Sequence, residues 1–254
     1  MDALPEGVAG RFTLDGVELP FAAGETLMQA AARAGAYVPH LCWHERLGQS
    51  GACRLCVVKI GGPNGGRLAA ACTTPAGDGM TVENRTAELD ARRRLLVQML
   101  FVEGNHFCPS CEKSGSCLLQ AVAYDVGMLG PHFEEFYPHR PVDASHPRMW
   151  LDLNPCILCK LCVRASREVD GKDVFAIGGH GIGSHLVVNS PSGLLGDSRF
   201  EADDLAAQVC PVGAILPKRR GFVVPIGARR FDRAPVSDAV ARANDAAAAD
   251  GGAD

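Results

Sequence analysis

The stretch NPCILCKLCVR, Asn154 to Arg164, carries Cys156, Cys159 and Cys162 with two residues between successive cysteines, and a Cys210-Pro211 pair follows downstream. Three thiolates at this spacing wrap three irons of a cubane, and a remote Cys-Pro closes the fourth. A two-cluster arrangement would repeat the run and exchange the fourth cysteines. The run occurs once here, so Cys210 is expected to serve the same [4Fe–4S] cluster as Cys156. Chance thiols in a core rarely fall at this spacing.

Outward from this run, the 254-residue chain holds eleven cysteines: 42, 53, 56 and 72, then 108, 111 and 117, then 156, 159, 162 and 210. An odd number cannot pair completely, and clustered thiols in a reducing compartment point to bound metal. The N-terminus, MDALPEGVAGRF, lacks a basic segment leading into an apolar one, so no secretory signal and a cytoplasmic location are expected. No unbroken apolar run reaches the length of a membrane span. The net charge of −4 argues against general nucleic-acid binding.

In the first group, Cys42 is followed by ten residues before Cys53, two before Cys56 and fifteen before Cys72. The glycine-flanked loop SGACRLC lets two sulfurs reach one centre while loop amides offset their charge. Four thiolates satisfy a [2Fe–2S] cluster, although the plant-type spacing would put four residues after the first cysteine. Cys42-Trp43-His44 offers half of a Rieske pattern, but no histidine accompanies Cys53 and Cys56. A closed four-thiolate zinc site is the alternative, and these spacings do not form paired zinc knuckles.

The middle group, GNHFCPSCEKSGSC (Gly104 to Cys117), has Cys108, Cys111 and Cys117 and no fourth thiol to recruit. Its fourth ligand must be another residue type, a water, or absent. His106 is the nearest donor; His132, His139 and His146 lie on the following connector. A neutral imidazole in place of a thiolate removes one negative charge and tends to raise the reduction potential.

The rest of the pattern is α+β. RFTL and VELPF around Asp15-Gly16 predict a hairpin, Glu25 to Ala34 a helix ending at Gly35, and CVVKI and RLAAAC a second hairpin around GGPNGG. Thr86 to Glu103 reads as a helix with Leu95, Leu96, Met99, Leu100 and Val102 on its apolar face and Arg92, Arg93 and Arg94 solvated or facing a partner. A second helix carries Leu118, Val122 and Val126. Residues 130–147 form a proline-rich connector. Phe175–Ile177 and His185–Asn189 predict a hairpin, and 201–209 a short helix. The basic arm from Lys218 to Arg233 reads as either a docking element or ordinary surface, and the last residues as disordered.

These three groups, in this order, resemble the N-terminal electron-transfer region shared by the large iron–sulfur subunit of respiratory complex I and the iron-only hydrogenases. The phrases EGNHFCPSCEKSGSC, NPCILCKLCVR, VCPVGAIL and PIGARR are similar to the iron–sulfur subunit family of NAD-reducing nickel–iron hydrogenases, as is the early end of the chain at Asp254. The resemblance implies four segments. Residues 1–83 would be a plant-ferredoxin-like β-grasp [2Fe–2S] domain, and 84–147 a small helical domain whose [4Fe–4S] cluster is held by His106, Cys108, Cys111 and Cys117. Residues 148–222 would be a bacterial-ferredoxin-like [4Fe–4S] domain, and 223–254 an arm and tail. In complex I the ligand histidine stands three residues further from its first cysteine than an adjacent residue would; here only Phe107 separates His106 from Cys108, and Gly104 occupies the complex I position.

The function implied is an electron relay, part of an oxidoreductase complex, with no substrate-converting site of its own. GGHGIG (178–183) lacks dinucleotide-binding spacing and reads as a hairpin turn, and Gly171-Lys172-Asp173 is no phosphate loop. FMN and NAD are therefore expected on a partner diaphorase subunit, with small and large [NiFe]-hydrogenase subunits as further partners. A formate dehydrogenase or complex I-like NADH dehydrogenase is the alternative setting, and a zinc-binding interaction module the reading from another class.

Overall fold

Asp15 and Gly16 take φ of 50° and 83° in the computed structural model, the left-handed pair that a two-residue hairpin loop needs. They join β1 (Gly10–Leu14) to β2 (Val17–Phe21). The structure describes residues 7–61 and 66–238. They fall into two compact units, one running to Leu96 with Tyr124–Gly127 and the segment from Ala234, the other comprising Val97–Ala123 and Met128–Arg233.

In the first unit, helix α1 (Leu27–Arg33) starts at a capping box: the Gln29 amide donates to the Thr26 hydroxyl, and the Thr26 amide to Gln29 Oε1 at 2.9 Å. Strands β3 (Val57–Ile60), β4 (Arg67–Ala70) and β5 (Thr81–Glu83) complete a sheet of order β2-β1-β5-β3-β4. The β1–β5 pair is parallel and the other pairs are antiparallel, a β-grasp arrangement around one helix. Phe12, Leu14, Leu27, Met28, Val58 and Val82 fill the core, together with Cys56 and Cys72. The central strand β5 was not anticipated. Its three residues are too few to show an alternating pattern, and its place is set by neighbours distant in sequence. Most of the GGPNGG turn lies outside the described residues.

Helix α2 (Ala87–Glu103) corrects the expected arginine face. Arg93 is 2% exposed, while Leu95 and Met99 are 48% and 51% exposed. The inward line is Leu89, Arg93 and Val97, at i, i+4 and i+8. Arg93 is admitted because the first unit presents acceptors to every part of its fork. It donates to Leu55 O (2.9 Å), Val57 O (2.9 Å), Asn84 O (2.6 Å), Asn84 Oδ1 (2.8 Å) and Asp90 Oδ1 (3.1 Å). Arg92 is exposed, as expected, and pairs with Glu88.

The second unit follows with α3 (Leu118–Asp125), whose buried residues include Leu119 rather than Leu118, then β6 (Val142–Asp143) and β7 (Met149–Asp152). Helix α4 (Leu161–Glu168) begins inside the cysteine run, where no helix was expected. The β8 (Phe175–Gly178) and β9 (His185–Val188) hairpin turns at Gly179–Gly183; a side chain at Gly179 would strike the Gly183 carbonyl, so position 179 admits only glycine. Helix α5 (Leu205–Gln208) is shorter than expected, because the Asp170 carboxylate takes the Leu205 and Ala206 amides and fixes the start there. Strand β10 (Ile215–Pro217) pairs antiparallel with β7, giving the order β10-β7-β6. That pairing returns the chain after Cys210 to the strand that leads into Cys156.

Within the basic arm, Arg229 faces its own chain: it donates to Ser114 O at 3.1 Å and forks onto Asp232. The tail expected to be disordered lies almost wholly outside the described residues. No helix among the described residues is long and apolar enough to cross a membrane.

Candidate metal centres

The first donor set stands as two thiol pairs in the β-grasp unit. The Cys53 amide donates to Cys42 Sγ (3.3 Å), the Leu41 amide to Cys53 Sγ (3.4 Å), and the Cys56 and Cys72 sulfurs are 3.3 Å apart. Left-handed residues Gly51 and Arg54 (φ 70° and 59°) turn the loop so that further amides, of Ser50, Gly51 and Ala52, reach Cys42 or Cys72. The Cys53 thiol holds Cys42 down to about 6, and the Cys56 thiol does the same for Cys72; the donating thiols are pushed up. Each pair thus keeps one ready thiolate, in a nest of N–H dipoles suited to a negatively charged iron–sulfur core.

His106, Cys108, Cys111 and Cys117 line one cavity of about 220 Å³, with Phe101, Trp150 and Gly213 on its wall. The other candidate histidines do not line it. His132 and His139 are exposed; His146 is buried, but its Nδ1 accepts the Arg148 and Met149 amides. Burial, with the Arg140 charge adding, depresses His106 to about 4, so its ring is neutral at pH 7. Its Nε2 lies 3.2 Å from the Leu100 carbonyl; assigned as the Nε2–H donor to that oxygen, the ring has its Nδ1 lone pair free. A Cβ on Gly104 would stand 2.4 Å from His106 Nε2, so glycine is what lets the ring occupy this place. Burial pushes the Cys117 thiol up to about 12. The Trp150 Nε1 is buried without a partner among the described residues, a donor suited to a sulfide acceptor. Nothing in the spacing signalled Gly104 or Trp150: the first acts by leaving room for the ring, the second by bringing a buried N–H to the cavity wall.

Cys156, Cys159, Cys162 and Cys210 line a second, tighter cavity of about 20 Å³, walled by Ile157, Leu158, Ile177, Leu186 and Val212. Leu158 and Lys160 take φ of 52° and 65°, and alternating them with ordinary residues turns successive amides toward one side. Burial raises Cys156 to about 11 and also raises Cys162, against the pull of the Leu158 and Val163 amides. Such thiols give up their protons only to a cation, which is the chemistry of a structural ligand.

The segment after Cys210 serves both cavities. Val212 lines each; the Leu118 amide donates to Pro211 O at 2.8 Å; and a Cβ on Gly213 would lie 2.8 Å from Cys111 Sγ. Gly213→Ala is therefore expected to displace Cys111 and lower the bound iron of the purified protein, with the four-cysteine site retained. Iron per chain equal to wild type would show that Cys111 has room to move.

Residues 10–87 match the family described as 2Fe-2S iron-sulfur cluster binding domain, 93–132 the NADH-ubiquinone oxidoreductase-G iron-sulfur binding region, and 149–216 the 4Fe-4S single cluster domain. The chain is similar, at 52% identity and a TM-score of 0.85, to a chain in a crystal structure of NAD+-reducing [NiFe]-hydrogenase in the H2-reduced state; the match covers 91% of this chain and 99% of that one. It is 31% identical to the NADH-ubiquinone oxidoreductase 78 kDa subunit of Candida albicans and 30% identical to the NADPH-Fe(3+) oxidoreductase subunit alpha of Geobacter sulfurreducens, but spans only 31% and 24% of their lengths. Against the NAD-reducing hydrogenase HoxS subunit gamma of Cupriavidus necator it is 40% identical over 87% of this chain and 93% of that subunit. The chain belongs to the gamma-subunit family of NAD-reducing hydrogenases.

Proposed function

We propose that the chain is the electron relay between a [NiFe]-hydrogenase module, with its small and large subunits, and a diaphorase subunit that binds FMN and NAD. Cys42, Cys53, Cys56 and Cys72 would hold one [2Fe–2S] cluster. His106, Cys108, Cys111 and Cys117 would hold one [4Fe–4S] cluster, and Cys156, Cys159, Cys162 and Cys210 another. The observation that carries this reading is the donor chemistry: three separate sets of soft ligands, two of them each lining a single cavity. When bound, such clusters take up and release single electrons. The chain's own residues supply the rest. Thiolates and one neutral imidazole bind, loop amides and the unpartnered Trp150 Nε1 offset negative charge, and apolar walls exclude water. The segments proposed as domains are 1–83, 84–147 and 148–222, with an arm from 223, in a cytoplasmic assembly.

Quantitation of iron, sulfide, nickel and flavin on the native complex tests the reading. Ten irons per copy of this chain, with nickel and flavin on co-purifying subunits, is the expected result (about ten, from one two-iron and two four-iron centres). Colourless protein holding zinc without sulfide would establish the interaction-module alternative. Iron and sulfide without nickel would place the relay in a formate dehydrogenase or NADH dehydrogenase.

A further inference from the structure

Arg140, on the connector before β6, ties together the two loops proposed to hold [4Fe–4S] clusters. Its Nη1 donates to the carbonyl of Cys156 at 2.8 Å and to that of Leu153 at 3.4 Å. Its Nη2 donates to the carbonyl of Glu103 at 3.0 Å, at the end of α2 and just before the His106 loop. The backbone of Arg140 is fixed as firmly. Its amide donates to Asn154 Oδ1 (3.2 Å) and its carbonyl accepts from Asn154 Nδ2 (3.0 Å), while the Asn154 carbonyl accepts the Asn105 amide (2.9 Å). One side chain therefore grips Cys156 in one ligand loop and Glu103, which leads into the other, and Asn154 doubles the tie through Asn105. The nearest opposing charge is the Glu103 carboxylate at 3.9 Å, whose side chain is 45% exposed and correspondingly screened.

We propose that Arg140 is a positioning residue shared by both [4Fe–4S] sites, a fixed cation between the two loops that raises both reduction potentials and holds their spacing. The proposal rests on the electron-relay reading above. A guanidinium keeps its charge at any working pH, and its rigid fork can serve two carbonyls at once. Adding an electron makes a cluster more negative, so a nearby fixed cation favours the reduced form of each. A lysine at this position would keep the charge but could not span both loops.

The test is potentiometric electron paramagnetic resonance on the native complex, with iron quantitation alongside. In Arg140→Gln, both [4Fe–4S] signals should need a more negative potential. At each wild-type midpoint the reduced-to-oxidised ratio should fall about tenfold, equivalent to about 59 mV for one electron. Arg140→Lys should recover most of that shift, and Glu103→Gln should move both midpoints the other way by a smaller amount. Unchanged midpoints in Arg140→Gln, or movement of one signal alone, would overturn the shared role. Should Arg140→Gln lose iron, Glu103→Gln decides, and two unmoved midpoints there overturn the proposal. Wild-type complex without two [4Fe–4S] signals would instead remove the electron-relay reading on which the proposal stands.

Discussion

Arg93→Ala is expected to destabilise the protein by about 3–5 kcal/mol, the combined cost of several buried acceptors left unsatisfied at roughly 1–3 kcal/mol each. Arg93 is almost fully buried and is the donor for three main-chain carbonyls, Leu55, Val57 and Asn84. Truncation leaves those oxygens and Asn84 Oδ1 without it, at roughly 1–3 kcal/mol for each that water cannot reach. It also opens a cavity the size of the lost side chain. Leu55 stands between Cys53 and Cys56, so the loosened carbonyl belongs to the loop that carries two proposed ligands. The urea midpoint of the purified protein should fall well below that of wild type, and the [2Fe–2S] signal should broaden or be lost. Arg93→Lys should be intermediate, since one ammonium cannot serve acceptors spread around a planar fork. A midpoint within experimental error of wild type would mean that water replaces the guanidinium at little cost.

His106→Ala is expected to alter or abolish one [4Fe–4S] signal in low-temperature electron paramagnetic resonance and to leave the other cluster signals in place. The ring is neutral, lines the three-cysteine cavity, and has its Nε2 beside the Leu100 carbonyl. His106→Cys should retain the cluster at a more negative potential, because a thiolate adds the charge that imidazole lacks. Gly104→Ala offers a second route to the same loss, since the added methyl would occupy the space of the imidazole. An unchanged set of signals in His106→Ala would remove it from the ligand set.

The grouping of Cys108, Cys111 and Cys117 and of Cys156, Cys159 and Cys162 was legible because close thiol spacing is a local property, while Cys210 joins the latter cavity from far downstream, signalled by its Cys-Pro pair. The first hairpin and α1 were legible for the same reason, through Asp15-Gly16 and the run of helix formers ending at Gly35. What escaped is what depends on distant chain. Strands β5 and β7 are short and owe their place to partners far along the sequence, Thr13 for Thr81 and Ile215 for Leu151. Arg93 read as one of three arginines either solvated or facing a partner, because nothing near it in sequence announces the carbonyls of Leu55 and Val57. Gly104 was read as a missing ligand; its contribution is the room it leaves for the ring two residues on. His106 was already favoured among four histidines by its nearness to Cys108 and by the resemblance; what needed three dimensions was that it shares a cavity with the three cysteines.

The hydrogen bonds around the three donor sets imply an order of maturation as the chain leaves the ribosome. The first set lies between Cys42 and Cys72 and draws its amides from Leu41 and from within that interval, so its donors can come together early. The four-cysteine set is incomplete until Cys210 has been made, and the loop of the histidine set gains its Leu118–Pro211 and Gly115–Phe231 backbone bonds only later still. A truncated or stalled chain thus exposes unpaired thiols from the middle of the sequence, while the first donor set already has its amides in place.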